Sequence, residues 1–260
     1  AILFLRYGYS VGMLGFLGTA GVIILGHLVT IPTALAISEI ATNQRVEGGG
    51  EYFIISRSFG LNIGATIGIA LYLSQAISIA FYIIAFTEAF SPLLDKLPLT
   101  AEWSRRVISL PTMLLLSYVT VKYGSRIGVK TLYIVGLILG LSLLLFFLGK
   151  AEYKPESWAT LFSFRQGNLR QSFFTVFAII FPAFTGMTAG VGLSGDLKDP
   201  GKSIPVGTLA ATLVGLVIYF FIALKLAVSA SADALVTDQL IMSRIAVYGA
   251  VIIPLGLAAS

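Results

Sequence analysis

The stretch FPAFTGMTAGVGLSG, from Phe181 to Gly195, carries residue types that can hold ions without charged side chains. Pro182, Gly186, Gly190 and Gly192 fall within eleven residues of one apolar run, and Thr185 and Thr188 add hydroxyls in the same place. Proline removes a backbone donor and glycine adds chain entropy, so a helix is expected to stop here. Carbonyls upstream of Pro182 then lose a donor and can face a cation. Amides at the restart, near Gly186, Met187 and Thr188, sit at the positive end of a dipole and can face an anion. Freed backbone groups find no water in hydrocarbon, so a break at mid-membrane depth calls for such partners. Discontinuous helices serve this purpose in secondary transporters. A bent helix whose small residues pack against a neighbour explains the same letters, since Gly and Pro are frequent in membrane helices.

Charges inside apolar runs are the next candidates. Arg6 and Glu88 are two, and an ionised side chain costs about 2.5–3.5 kcal/mol at a helix centre, so each calls for a partner. Their runs cross in the same direction by parity, and both side chains fall toward one end, where they can pair as a gate. Snorkelling to separate headgroup layers is the other reading. Tyr82 places a hydroxyl six residues before Glu88, in the run ISIAFYIIAF, and on its own it reads as a packing tyrosine. His27 reads as a packed, hydrogen-bonded helix residue, Lys225 as a snorkelling one, and Glu39 as a residue at headgroup level. Asp196, Lys198 and Asp199 precede Pro200-Gly201, a turn signature.

The elements that must position these residues follow from composition. Of 260 residues, 57% are hydrophobic and 11% charged, against about 25% charged in a soluble domain, so much of the outer surface must face lipid. The 27 glycines suit close helix packing in a bilayer. There is no cysteine, and one histidine makes a histidine-built metal centre a poor reading. The net charge of +5 comes without a basic run of the kind that grips nucleic acid. Apolar stretches of spanning length run over about 1–17, 20–42, 61–90, 128–149, 172–193 and 204–228, with a short one at 107–121 and an eighth starting near 245. The first and last are cut by the ends of the chain, which therefore reads as a portion of a longer protein. Arranging the connections on alternate sides sets seven Lys and Arg against eight, so charge does not decide orientation. EGGGEYFIISRSFG, Glu47 to Gly60, reads as an amphipathic interfacial segment, and Trp103 and Trp158 as belt residues.

Four stretches together resemble the cation–chloride cotransporter family of the amino acid–polyamine–organocation superfamily. They are LFLRYGYSVG from Leu3, SEIATNQRVEGGGEYFIISRSFG from Ser38, FYIIAFTEAF from Phe81 and VFAIIFPAFTGMTAGVGLSGDLKDPGKSIPVGTL from Val176. The resemblance implies an all-α polytopic membrane protein with the leucine-transporter-like inverted-repeat fold. It implies a single transmembrane domain over 1–260, with a first repeat over about 1–149 and the start of a second over about 172–260. The amino-terminal side and the Gly48 loop would be cytoplasmic, and the protein would reside in the plasma (inner) membrane.

Residue by residue, the resemblance assigns Tyr82, Pro182 and Thr185 to a potassium site, and Gly186, Met187 and Thr188 to a chloride held by amides. It assigns Ala1 and Ile2 to a second chloride, and Arg6 with Glu88 to an outer gate. The implied cargo is chloride with potassium, with or without sodium. The implied partners are the lipid bilayer and a second copy in a homodimer, an option left open; no cofactor and no nucleic acid are implied. The front of segment one and the remainder of segment eight, where sodium-using members carry a serine pair, lie outside the sequence.

Three other functions compete. An amino acid or polyamine permease of the same fold would place a substrate carboxylate on the amides assigned to chloride, and the GGEY run at Gly49 leans that way. A membrane-embedded enzyme would need a nucleophile–base pair or metal cluster at membrane depth, and no span carries one. A passive channel suits an asymmetric break less well than a closed binding site does.

Overall fold

Gly15 carries φ 71° and ψ −178°, a conformation favoured only for glycine, and it bends the first long helical element, α1, Ile2–Asn43. The Ser10 and Thr19 hydroxyls meet at 3.1 Å across this bend, whereas nine residues of straight helix span about 13 Å. Two helices thus meet at a kink within one element. Sequence places the boundary between Leu17 and Ala20; the structure places it earlier, because the tight approach needs a left-handed residue and Gly15 supplies it.

The structure is a computed structural model, and it describes residues 2–43, 49–90, 101–123, 125–150, 169–192 and 194–259. After α1 come α2 (Gly50–Phe59), α3 (Leu61–Ala89), α4 (Ala101–Tyr123) and α5 (Ser125–Leu148). Then follow α6 (Leu169–Ile180), the short α7 (Ala189–Gly192) and α8 (Pro200–Ser229). Three helices complete the described chain: α9 (Ala232–Thr237), α10 (Ile241–Ile245) and α11 (Gly249–Ala259). Ala1, Gly48 and Trp158, singled out in the sequence, lie outside the described residues.

Among the described residues, five helical stretches are long and apolar enough to cross a membrane: Leu3–Asn43, Leu61–Glu88, Thr131–Leu148, Phe173–Gly192 and Pro200–Ser229. α4 is long enough, at 23 residues, but Arg106 near its start and Lys122 at its end leave its apolar stretch short. The chain is a multi-pass integral membrane protein.

α1, α6 and α8 form the centre. Phe4, Tyr7, Leu14 and Ile23 of α1 are fully buried against Ile180 of α6 and Ile222 and Leu226 of α8. Between helices in lipid the hydrophobic term largely cancels, so close packing decides the arrangement. Glycine sets that closeness at α9, where a Cβ on Gly12 would stand 2.9 Å from the Ala232 carbonyl. A Cβ on Gly26 would overlap the Phe184 ring. A smaller cluster of Ala41, Val191 and Ile204, with Ile54 against it, ties α7 to the ends of α1, α2 and α8. α3 and α5 pack along the outside, with large apolar side chains such as Tyr72, Ile77 and Leu137 exposed as a lipid-facing surface requires.

Two polar details depart from expectation or from full pairing. Lys225 does not snorkel: its Nζ donates to the Gly149 carbonyl at 2.7 Å, taking up an acceptor that the end of α5 leaves orphaned. The Tyr7 hydroxyl is buried and, among the described residues, has no hydrogen-bond partner, while the ring stacks on Tyr219 with centroids 5.6 Å apart. An orphaned buried hydroxyl carries a desolvation penalty of about 1–3 kcal/mol. Tyr7→Phe is therefore expected to raise thermal stability by about 1 kcal/mol in detergent solution. A lowered melting midpoint would show that the hydroxyl is satisfied after all.

Candidate ion-binding site

α6 stops at Ile180, and the chain passes into a 3-10 turn over Phe181–Phe184 with Pro182 near its start. Proline has no N–H to continue the α-helical ladder, so the tighter turn is what the local sequence permits. Thr185 is extended, at φ −82° and ψ 178°. Gly186 then takes φ +99°, a left-handed value that explains glycine at this point. Helix restarts only at Ala189, whose amide donates to the Gly186 carbonyl at 3.0 Å. The run is interrupted where Pro182 and the glycines predict.

Among the described residues, the amides of Gly186, Met187 and Thr188 donate to no acceptor. These are three adjacent free donors in a span, where each unsatisfied group is costly. The carbonyls are not equally free. Pro182 accepts from the Thr185 amide at 3.3 Å and from the Thr185 hydroxyl at 2.7 Å. A cation at this carbonyl would have to displace the Thr185 hydroxyl proton from it.

α8 braces the break from the side. The Tyr219 hydroxyl donates to the Ala183 carbonyl at 2.5 Å, and the Thr208 hydroxyl reaches the Met187 carbonyl at 3.5 Å. A cavity of about 150 Å³ lies between them, lined by His27, Thr185, Gly186, Met187, Thr212 and Tyr219 among others. His27 is buried. Its Nδ1 pairs with the Ile23 carbonyl at 2.8 Å, and its ring lies 5.0 Å from Phe184 and 5.9 Å from Tyr219, centre to centre. The packed, hydrogen-bonded histidine expected from sequence is what the structure contains.

The remaining candidates stand apart from this cavity. Tyr82 is 52% exposed on α3, its ring set edge-on to Phe81 at 6.1 Å. Among the described residues its hydroxyl has no partner, and Tyr82 does not line the break cavity. Arg6 and Glu88 form no ion pair among the described residues. Glu88 instead lines a second cavity, of about 500 Å³, with Leu5, Thr87, Arg105, Ser109 and Asp238. The Arg244 Nε lies 2.8 Å from an Asp238 carboxylate oxygen, off the line of a hydrogen bond, and the other Asp238 oxygen accepts from the Leu240 amide at 3.0 Å. Ile2 begins α1, and Ala1 lies outside the described residues.

Sequence reasoning passed over Tyr219, Thr208, Thr212 and Gly26. Each is an ordinary letter in an apolar run, and its role comes from a contact with a distant segment. The one signal available was His27, the single histidine of the chain, placed next to a glycine.

Comparison with known proteins places this geometry in a family. The amino acid permease family matches residues 1–258. Solute carrier family 12 member 1 of Mus musculus is 35% identical over 251 residues, 90% of this chain and 23% of that protein. Solute carrier family 12 member 2 of Homo sapiens is 34% identical over 246 residues, 90% of this chain and 20% of that protein. The bumetanide-sensitive sodium-(potassium)-chloride cotransporter of Manduca sexta is 33% identical over 265 residues, 93% of this chain and 25% of that protein. The chain belongs to the amino acid permease family, in its cation–chloride cotransporter branch. Its helical architecture is the leucine-transporter-like fold of that superfamily. It spans a quarter or less of the length of these relatives.

Proposed function

We propose that the protein is a secondary active symporter of chloride with potassium, with or without sodium, working by alternating access. The observation that carries this reading is the row of free amides at Gly186, Met187 and Thr188 beside a cavity, in a span interrupted at Pro182. Free amides favour a small anion, and neutral oxygens at Pro182, Thr185 and Tyr82 suit a weakly hydrated monovalent cation. The name of the Manduca sexta relative, a sodium-(potassium)-chloride cotransporter, points to the same cargo.

In this reading Ala1 and Ile2 help hold a second chloride, and Arg6 and Glu88 approach each other when the outer side closes. Segments up to about residue 149 form one repeat and those from about 172 begin the other, rocking against each other in the plasma membrane. Pairing of two copies is compatible with this scheme and not required by it.

The test uses the full-length protein in sealed vesicles, with rubidium as the potassium tracer and gluconate replacing chloride. Uptake is expected to require chloride. Loss of one neutral oxygen ligand is worth about 1 kcal/mol, so Thr185→Ala and Tyr82→Phe are each expected to lower uptake about fivefold. Normal, saturable uptake in both variants rejects these ligands. The family's description as amino acid permease supports a second reading, in which a substrate carboxylate takes the amides. Uptake of an amino acid with no chloride requirement would establish that reading and end the first.

A further inference from the structure

His27 is the one buried histidine next to the proposed anion site, and ion transport as described makes no use of it. It is 3% exposed and lines the break cavity together with Gly186 and Met187, two of the residues whose amides are free. Its Nδ1 is engaged by the Ile23 carbonyl, an acceptor, so that nitrogen carries the proton of the neutral ring. Among the described residues Nε2 has no hydrogen-bond partner. An additional proton on the ring can therefore go only to Nε2.

Among the described residues, the surroundings of His27 contain no charge to compete with an anion. From the break, Phe184 faces the ring; from α8, Tyr219 does, with Tyr7 of α1 stacked behind it. No carboxylate, lysine or arginine lines the cavity among the described residues. Glu39 is twelve residues further along α1, about 18 Å away along the axis, and Lys202 is seventeen residues before Tyr219, about 25 Å. Lys225, six residues past Tyr219 and about 9 Å along α8, is engaged by the Gly149 carbonyl. On α9, Asp233 belongs to the part that packs near Gly12, at the far side of the bend in α1. Among the described residues a positive charge on His27 thus has no fixed counter-ion, and a monovalent anion at the neighbouring amides would stand closer than any of their carboxylates.

We propose that His27 is a proton-binding site linked to the anion at the break, so that protonating its imidazole tightens chloride binding. This rests on the reading of the break as an anion site. Linkage is reciprocal: if the proton favours chloride, chloride favours the proton. A cavity of about 150 Å³ has room for an anion and a bridging water.

The experiment measures the chloride concentration that half-saturates rubidium uptake, in the full-length protein in vesicles, at pH values from about 5.5 to about 8.5. In the wild type this concentration is expected to rise about tenfold across the range, a coupling of ordinary size. His27→Gln and His27→Asn keep a polar side chain without the proton site, and both are expected to show a flat profile. Two variants guard against one that fails to fold, and thermal unfolding in detergent identifies such a case. A flat wild-type profile, or an unchanged slope in a folded His27 variant, overturns the proton site while leaving chloride transport intact. Uptake that ignores chloride at every pH overturns the anion reading itself, and the proton site with it.

Discussion

Gly186→Ala is expected to lower chloride-dependent rubidium uptake about a hundredfold while leaving the fold in place. Gly186 stands at φ +99°, where an L side chain is strained, and the strain is of order 1–3 kcal/mol. A Cβ built there meets nothing within 4 Å, so the packing around it is not the obstacle. The chain relieves the strain by rotating its own backbone, and the groups that rotate are the free amides. A hydrogen bond to a charged acceptor is worth about 1.5–3 kcal/mol, so misdirecting one or two of them accounts for a hundredfold loss. Gly192→Ala is the matched control: its Cβ also meets nothing within 4 Å, and its backbone is helical. It is expected to transport like the wild type. The measurements are uptake against chloride concentration and a melting curve for each variant. A Gly186→Ala protein with wild-type chloride dependence would remove the amides from the mechanism.

The break itself was legible because its causes are local. Pro182 lacks an N–H wherever it stands, and Gly186 tolerates a left-handed turn whatever surrounds it. The long apolar stretches were legible for a similar reason, since lipid imposes length and hydrophobicity on each helix separately. The bend in α1 was read a few residues late. Gly15 and Gly18 are equally plausible in the letters, and only the backbone at Gly15, with φ 71° and ψ −178°, singles out the first. Lys225 was misread because its acceptor, the Gly149 carbonyl, is 76 residues away in sequence. The cavity lining was not legible at all. Tyr219 and Thr212 are unremarkable within TLVGLVIYFFIALK, and nothing local announces that they will face the break. Tyr82, Pro182 and Thr185 were brought together by resemblance to a family, and α3 holds Tyr82 outside the break cavity in this conformation.

The second large effect concerns how α1 holds the break open. Gly26 stands beside His27, and a Cβ on it would overlap the Phe184 ring, the last residue before Thr185 and Gly186. Two effects oppose each other in Gly26→Ala. Alanine is better than glycine inside a helix by about 1 kcal/mol. Overpacking a close contact costs about 1–3 kcal/mol, and an overlap with a buried ring lies at the upper end. The clash wins, and Gly26→Ala is expected to destabilise by about 2 kcal/mol and to reduce uptake at least tenfold, because the displaced ring carries Thr185 and Gly186 with it. Phe184→Leu alone leaves a gap and is destabilising in its own right. Combined with Gly26→Ala, it makes room for the new methyl, so the double variant is expected to be more stable than the sum of the two single changes by at least about 1 kcal/mol. Thermal unfolding of the four proteins measures that coupling. Strict additivity would mean that Gly26 and Phe184 do not touch in the folded protein, and that the shape of the break is set by the Phe173–Gly192 stretch alone.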